Sequence, residues 1–293
     1  MNDGTLTRPV ISAWKAKPTM EGAGVRLLRA FGNAEALQLD PFLLLDAFHS
    51  DNPDDYKSGF PWHPHRGIET ITYLLDGEIE HADSLGNKGL ITSGDVQWMT
   101  AGSGIIHQEM PLGDRKGRMA GFQLWSNLPA RGKMMDPRYR EVKSAEIPIV
   151  KTSDGATIRV IAGEVDGVTG PVKEVVTDPL LLDVSLAPFA RATLPAAVDH
   201  SCFAYVIEGE AAFDAAQATS GERSGADTLV RFGGGGSIVV TTDARPARFL
   251  LVAGRPLEEP VAWAGPIVMN TKDELRTAFR ELDEGSFVRH PRA

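Results

Sequence analysis

The 293-residue sequence has very little cysteine, no long hydrophobic run and no excess of positive charge. Its single cysteine, Cys202, excludes an intramolecular disulfide and is typical of a reducing compartment. Apolar runs such as residues 42–45 and 249–253 are far shorter than the roughly 18 residues that a membrane-spanning helix needs. The formal net charge of −9 argues against direct binding to nucleic acid or anionic membranes. These absences predict a cytoplasmic protein that binds neither nucleic acid nor membrane.

Short apolar segments separated by turn residues fill most of the chain. With 30 Gly and 19 Pro, the composition favours a turn-rich β protein over a helical bundle. Asp76-Gly77 and Glu208-Gly209 predict turns that follow a strand. We predict an all-β sandwich or barrel whose strands lie within residues 69–83, 95–102, 119–129, 156–167, 180–195, 202–213 and 247–254.

An internal repeat divides the chain into two halves. ETITYLLDGEIE, which begins at residue 69, aligns without gaps with SCFAYVIEGEAA, which begins at residue 201. The stretch between Pro129 and Pro148 is polar and lacks β periodicity, so it is a suitable boundary. We therefore predict two tandem β-barrel domains, residues 1–135 and 136–293.

A short helix is predicted near the end of the chain. Thr271 or Asn270 can cap its N-terminus, and acidic residues occupy its first turn. An apolar face follows, and Gly285 is a suitable C-terminal cap. The residues predicted for this apolar face are Leu275, Phe279 and Leu282.

Two short motifs contain the side chains that metal chemistry needs. His63 and His65 form a His-x-His pair, and His107 and Glu109 form a His-x-Glu pair. Residues two apart on a strand project to the same face, so each pair can direct two ligands to one centre. Two such strands facing each other inside a barrel would supply three imidazoles and one carboxylate. That set suits a first-row divalent metal and leaves two octahedral positions open, whereas a structural zinc site usually contains thiolates.

Other residues around these motifs allow more than one interpretation. A lone histidine is more often a surface or core residue than a ligand, so the metal prediction depends on the two pairs occurring together. Glu69 could be a fifth ligand, a carboxylate facing the barrel interior, or a group that orients a ligating histidine, and we favour the last. His81 could act at the mouth of the site. We predict that His49 is structural and that His200 and His290 lie at the surface.

These motifs resemble those of the cupin superfamily and are similar in detail to those of the pirin family. The resemblance implies a monomeric bicupin of two jelly-roll-like barrels, with iron in the N-terminal barrel. It places the family's metal ligands on His63, His65, His107 and Glu109. It extends from about residue 5 to residue 290 and rests on FPWHPHRGIETITYLLDGEIEHADSLGN, GDVQWMTAGSGIIHQEMP, QLWSNLP, DPRYREV and RFLLVAGRPLEEPVAWAGPIVMNTKDELRTAFRELDEGSF.

The second half of the chain lacks the ligand motif. The repeat alignment puts Pro195 and Ala197 at the positions of the His-x-His pair. Neither residue offers a side-chain donor to a metal. We therefore expect the C-terminal domain to be metal-free.

The resemblance implies two functions. Some bacterial pirins resemble quercetinases, which open the heterocycle of a flavonol with dioxygen and release carbon monoxide. Eukaryotic pirin is regarded as an iron-dependent co-regulator of transcription factors. Our prediction is a quercetin 2,3-dioxygenase with a flavonol and O2 as substrates. The alternative is a redox-sensing regulator that acts through a protein partner, as a transcriptional co-regulator or as a modulator of a metabolic enzyme.

For the enzyme, the resemblance implies one divalent metal ion. We expect Fe2+, with Mn, Co, Ni, Cu or Zn as alternatives. The metal would bind the deprotonated 3-hydroxyl of the flavonol, alone or with the 4-carbonyl. Glu109 would be both a ligand and the general base that accepts the hydroxyl proton. Trp62 and Met99 are predicted to line the pocket for the aromatic substrate.

Overall fold

The computed structural model describes residues 6–32 and 35–289, and most of these residues lie in antiparallel strands. The strands of the first half are β1 (Val10–Lys15), β2 (Lys17–Glu21), β3 (Val25–Phe31), β4 (Phe42–Ser50), β5 (Phe60–His65), β6 (Ile68–Asp76), β7 (Glu78–Asp83), β8 (Lys88–Thr92), β9 (Val96–Thr100), β10 (Ile105–Pro111), β11 (Met119–Asn127) and β12 (Arg138–Val142).

The second half of the chain continues this pattern. Its strands are β13 (Ile149–Lys151), β14 (Ala156–Ala162), β15 (Glu164–Val165), β16 (Val168–Thr169), β17 (Leu180–Leu186), β18 (Arg191–Pro195), β19 (Ser201–Ala211), β20 (Ser224–Gly225), β21 (Thr228–Phe232), β22 (Ser237–Thr241), β23 (Ala247–Gly254), β24 (Ala262–Ala264) and β25 (Ile267–Met269). The helices are α1 (Ala215–Ser220) and α2 (Lys272–Asp283), with 310 turns at Ala36–Gln38, Pro53–Asp55, Ala130–Gly132 and Ser144–Glu146. The prediction of an all-β fold with a short C-terminal helix is confirmed.

The chain forms two compact units, and each unit includes a segment from the far end of the sequence. The N-terminal unit consists mainly of Phe42–Ser144 and also contains residues 257–289. The C-terminal unit consists mainly of Ala145–Pro256 and also contains β1. The division at residue 135, which follows chain order alone, stays a prediction.

The large sheets of the two units have the same strand order except at one edge, where β12 comes after the other strands of its sheet in the chain and β1 comes before those of its sheet. The large sheet of the N-terminal unit runs β12-β9-β6-β11-β4-β3-β2. That of the C-terminal unit runs β1-β21-β19-β23-β17-β14-β13, with β20 beside β19. The strands aligned by the sequence repeat, β6 and β19, occupy the same position in their sheets. The internal repeat is therefore a repeat of topology.

The interiors of the two units differ. Buried apolar side chains such as Leu182, Phe213 and Phe249 fill the C-terminal unit. The N-terminal unit adds a four-stranded sheet, β5-β10-β7-β8, to its large sheet. Residues of both sheets line a cavity of about 590 Å3. This cavity is large enough for a small organic ligand.

Helix α2 begins where the sequence predicts but presents a different face. Thr271 is the N-cap, and its side chain and that of Glu274 form a capping box. Ala278 is the buried residue, with Leu275 and Leu282 packed beside it, while Phe279 is half-exposed. The predicted inclusion of Phe279 in the apolar face was wrong, because the buried stripe follows i, i+3, i+7 spacing. Among the described residues, no helix has the length and apolar character needed to cross a membrane.

Candidate metal centre

The two predicted ligand pairs lie on neighbouring antiparallel strands of the four-stranded sheet. His63 and His65 are on β5, and His107 and Glu109 are on β10. In the ladder between these strands, His107 is directly opposite His63. Buried residues alternate with partly buried ones along β10, and His107 and Glu109 are both buried. The three histidines therefore meet between adjacent strands.

The three imidazoles are close enough to share one ion. The Nε2 atoms of His63 and His65 are 3.1 Å apart. The ring centroid of His107 is 4.3 Å from that of His63 and 5.0 Å from that of His65. One candidate ligand atom from each ring lies within 4.8 Å of the others, and this group contains the histidines without Glu109. Nitrogen ligands placed about 2 Å from a common ion lie at similar separations.

Backbone carbonyls orient two of the rings. His63 Nδ1 is 2.8 Å from the carbonyl oxygen of Pro61, and His65 Nδ1 is 3.1 Å from that of Pro266. A carbonyl only accepts, so each Nδ1 carries the proton and leaves a lone pair on Nε2. The Nε2 atom of His107 is buried and has no hydrogen-bond partner among the described residues.

Burial keeps these histidines neutral. It lowers the pKa of His63, and it lowers the pKa of His65 to about 3, with the nearby His63 adding to the effect. Burial also lowers the pKa of His107 well below its usual value, and the neighbouring histidines act in the same direction. The neutral imidazole is the form that ligates metals.

Glu109 lies on the same side of β10 as His107, held by a side chain from the large sheet. Thr72 Oγ1 is 3.0 Å from Glu109 Oε1 and 2.8 Å from the side-chain amide oxygen of Gln123. A hydroxyl has one proton, so Thr72 donates to one neighbour and accepts from protonated Glu109 or from the amide of Gln123. Burial raises the pKa of Glu109 to about 7. The carboxyl group can therefore gain and lose a proton near neutral pH.

Two tryptophans form part of the cavity wall. Trp125 lies edge-on to His65, with ring centroids 5.1 Å apart, and Trp263 lies 6.1 Å from Trp125. The predicted lining residues were wrong. Trp62 is 53% exposed, and Met99 is fully buried in an apolar cluster. Trp62 and His63 are adjacent on a strand, so their side chains point to opposite faces.

Glu69 does not orient a ligating histidine. Its Oε1 accepts a hydrogen bond of 2.6 Å from Thr100, and the pairing of β6 with its neighbours is uninterrupted from Glu69 to Thr72. Residues three apart on a regular strand face opposite sides. Since Thr72 lines the cavity, Glu69 points away from it. The favoured interpretation was wrong because Gly67, with φ of +78°, breaks the alternation between β5 and β6.

The other histidines have separate roles. His81 is buried, with Nε2 2.8 Å from Glu141 Oε1 and Nδ1 2.7 Å from the Tyr139 hydroxyl, and it is outside the ligand group. His200, predicted at the surface, is buried in the C-terminal unit, whereas His49 is exposed. The predicted position of His290 lies outside the described residues.

Sequence reasoning missed several residues that shape the site. Thr72 contacts Glu109 and Gln123 contacts Thr72, and both lie on cavity-facing strand positions that alternation alone could have indicated. Pro266 and Trp263 come from the C-terminal segment, about 200 positions from His65 along the chain. No local pattern signals a contact at that separation.

Comparison with known proteins identifies pirin-family domains in both halves of the chain. Residues 24–126 match the pirin family, and residues 181–288 match the pirin C-terminal cupin domain. The chain is 45% identical to a pirin-like protein of Caulobacter vibrioides, over 96% of this chain and 99% of the relative. It is 41% identical to pirin of Homo sapiens, over 90% of each chain.

A solved structure shares the whole architecture. The crystal structure of a quercetin 2,3-dioxygenase from Acinetobacter baumannii matches with a TM-score of 0.87 and 31% identity, over 96% of this chain and 99% of that one. The predicted bicupin architecture is confirmed by this match and by the two cupin domains. With both family domains present and relatives aligned over nearly their full length, the chain belongs to the pirin family.

Proposed function

We propose that the N-terminal unit binds one divalent metal ion and uses it to cleave a flavonol with dioxygen, in the manner of a quercetin 2,3-dioxygenase. The ligands would be His63, His65 and His107, with Glu109 as the fourth. The observation that supports this most strongly is the meeting of three neutral imidazoles, two of which, His63 and His65, line a cavity of about 590 Å3. The name of the Acinetobacter baumannii structure supports the choice of substrate.

The residues fit a metal ion. Two Nε2 lone pairs, on His63 and His65, face each other 3.1 Å apart, and the Nδ1 protons are already committed to carbonyls. Facing lone pairs repel each other, and a cation between them removes the repulsion. His107 adds a buried Nε2 that has no hydrogen-bond partner in the described part of the chain. Each of these three atoms gains a partner when one ion is bound.

We expect the metal to be iron. Three imidazoles and a carboxylate form a nitrogen and oxygen donor set without thiolate, which suits Fe, Mn, Co, Ni and Cu as well as Zn. Geometry alone does not select among these metals, because affinity also follows their availability in the cell. The iron assignment therefore follows the family resemblance.

A bound metal ion would supply Lewis-acid chemistry and a template for the substrate oxygens and dioxygen. The chain itself supplies the base. Glu109 would accept the proton of the flavonol 3-hydroxyl. Burial raises its pKa in the metal-free protein, whereas a bound cation would lower that pKa and favour the carboxylate, the form that can accept a proton. The hydrogen bond with Thr72 gives this carboxylate a position outside the three-imidazole group. Glu109 can thus serve in turn as a ligand and as a base.

The cavity wall would orient the substrate and exclude water. Trp125 lines the cavity and lies edge-on to His65, so an aromatic ring adjoins the histidines. Trp263, on β24, extends this aromatic surface. Flat aromatic substrates bind favourably to such surfaces, and removal of water strengthens the electrostatic interactions of the site.

The test is turnover of quercetin by protein reconstituted separately with iron, manganese, cobalt, nickel and copper. Oxygen uptake and carbon monoxide release should be equimolar with flavonol consumption for at least one metal. His63→Ala/His107→Ala should be inactive, and His200→Ala, in the other unit, should match the wild type. If no metal gives turnover, the enzyme proposal is wrong.

The regulatory role stays a prediction. It rests on the family resemblance, and no separate contact or surface in the described residues favours it. The predicted monomeric state, cytoplasmic location and protein partner likewise stay predictions. Failure of all five metals in the quercetin assay would make the regulatory role the stronger hypothesis.

A further inference from the structure

A row of polar side chains crosses the large sheet of the N-terminal unit and faces the cavity. Arg29 pairs with Asp46 across β3 and β4, and Asp46 pairs with Gln123 across β4 and β11. Gln123 pairs in turn with Thr72 on β6. All four residues line the cavity, as does Glu21 at the edge of the sheet. We call Arg29, Asp46, Gln123 and Thr72 the polar row.

The end of the polar row far from Glu109 is an ion-pair cluster. Arg29 donates from Nε to Asp46 Oδ1 at 2.8 Å and from Nη2 to Asp46 Oδ2 at 2.7 Å. The same Nη2 is 2.8 Å from Glu21 Oε1. One guanidinium and two carboxylates leave an excess of negative charge. Each carboxylate oxygen can accept a further hydrogen bond.

The fold itself does not need this polarity, because the second repeat builds the same row from apolar residues. The repeat alignment matches Thr72 with Ala204, and the cross-strand pairs from Ala204 lead to Leu251, then Leu182, then Val160. All four are buried in the apolar core of the C-terminal unit. A buried ion pair also contributes little net stability compared with such packing. The polar row therefore requires a functional explanation.

The spacing fits a ligand held at both ends. Thr72 contacts Glu109 beside the histidines, and Asp46 lies two strands away on the same row. Neighbouring strands are about 5 Å apart, so Asp46 is about 10 Å across the sheet from Thr72. This span is comparable with the distance from the chelating oxygens of a flavonol to the hydroxyls on its outer rings. Apolar side chains such as Leu27 and Phe48 line the cavity around the cluster.

We propose that Asp46, supported by Arg29 and Glu21, is a specificity site that accepts hydrogen bonds from ring hydroxyls of the substrate remote from the metal-binding end. The inference rests on the proposed function, which fixes the other end of the substrate at the histidines. The substrate class is then an uncharged, polyhydroxylated flavonol. Carboxylates accept hydrogen bonds strongly from hydroxyls, and the excess negative charge disfavours ring systems that bear acidic groups.

The test compares quercetin with 3-hydroxyflavone, which keeps the 3-hydroxyl and 4-carbonyl but has no other hydroxyl. Binding to Zn2+-loaded protein is measured by calorimetry under nitrogen, where no turnover occurs. We expect quercetin to bind the wild type at least about tenfold more tightly than 3-hydroxyflavone does. One or two charge-assisted hydrogen bonds contribute enough binding free energy for a difference of this size. Arg29→Val/Asp46→Leu, which installs the residues of the second repeat, should reduce this preference to within about twofold.

Controls separate this inference from the proposed function. Asp46→Asn keeps the side-chain size and should lower the preference as well, and Glu80→Gln, on the exposed face of β7, should leave it unchanged. Equal binding of the two flavonols by the wild type, or failure of quercetin to bind, would overturn the inference. So would a preference that survives in both Asp46 variants. Turnover of 3-hydroxyflavone with dioxygen, by contrast, depends only on the metal end and tests the proposed function independently.

Discussion

At the scale of single residues, Glu109 combines a buried carboxyl with a hydrogen bond to Thr72. If it accepts the substrate proton, Glu109→Gln should lower turnover by about 100-fold or more, because the amide keeps the shape but cannot act as a base. Turnover and metal content should be measured together, at matched metal occupancy. The variant is expected to hold metal more weakly through the three remaining histidines.

Glu69→Gln is a matched control for that substitution. Glu69 is also a buried carboxyl in the N-terminal unit, but it faces away from the cavity. Its replacement should leave metal affinity and turnover per metal unchanged. Wild-type turnover by metal-loaded Glu109→Gln would show that Glu109 is not the base.

The ligand histidines predict a pH dependence of stability for the metal-free protein. Burial lowers the pKa of His65 to about 3, so the unfolded chain binds protons that the folded chain does not. The contribution of His65 to the free energy of unfolding is therefore fully present above pH 6.5, the ordinary histidine pKa. This contribution is lost as the pH falls toward 3. At pH 5 the loss is at most about 2 kcal/mol for this residue.

Urea unfolding at several pH values measures this effect. His65→Gln removes one titrating group and should make the dependence between pH 7 and pH 5 less steep, while the lowered pKa values of His63 and His107 maintain the remainder. The exposed His49, replaced in the same way, should not change it. An equal slope in wild type and His65→Gln would contradict the account.

Strand alternation explains which site residues the sequence could predict. It correctly put His63 with His65 and His107 with Glu109, because each pair lies within one strand. Alternation failed for Glu69, because His65 ends β5 and Glu69 lies on β6, and alternation does not continue across the break between the two strands. A positive φ at Gly67 permits that break, and a side chain there would meet the carbonyl oxygen of Val268 at 2.0 Å.

At the scale of secondary-structure elements, the hairpin of β24 and β25 forms part of the metal site. Lys133 anchors it. Its buried ammonium donates to the carbonyl oxygens of Gly67 and Val268 at 2.9 and 3.0 Å, and to Asn127 Oδ1 at 2.6 Å. These bonds join the β5–β6 turn to the hairpin that presents Pro266 to His65.

Lys133→Met should therefore weaken both the fold and the site. Three buried acceptors would lose their donor, at a cost of about 1–3 kcal/mol each, so we expect a loss of about 3 kcal/mol or more in unfolding free energy. Because His65 loses its fixed carbonyl partner, metal affinity should fall by about 10–100-fold. Lys88→Met, on the exposed β8, is the control. Unchanged metal affinity in folded Lys133→Met would contradict this role.

Sequence-based prediction was wrong for elements whose conformation depends on contacts with residues distant in the chain. Glu208-Gly209 has the composition of a turn, but β19 continues through it to Ala211 with a register shift after Val206. Gly209 has φ of +70°, and a side chain there would meet the carbonyl oxygen of Pro246 at 1.9 Å. Asp76-Gly77, in contrast, is a turn between β6 and β7, as predicted. Both glycines have positive φ, and the difference is that strand pairing ends at Asp76 but continues through Gly209 to Ala211.

At the scale of the whole molecule, each unit has an apolar core of its own. Chains of this size bury enough apolar surface to fold without a metal, unlike zinc fingers. Removal of the metal with a chelator should leave the circular dichroism spectrum of a β protein intact at room temperature. A random-coil spectrum after chelation would contradict this expectation.

The central claim is that the chain holds one metal ion at His63, His65 and His107 in the N-terminal unit. The direct measurement is elemental analysis of purified, reconstituted protein, with the metal located by anomalous diffraction. The account predicts about one ion per chain in the wild type and none in His63→Ala/His107→Ala, while His200→Ala keeps its metal. Full metal content in the double variant, or an ion located within residues 190–255, would contradict it.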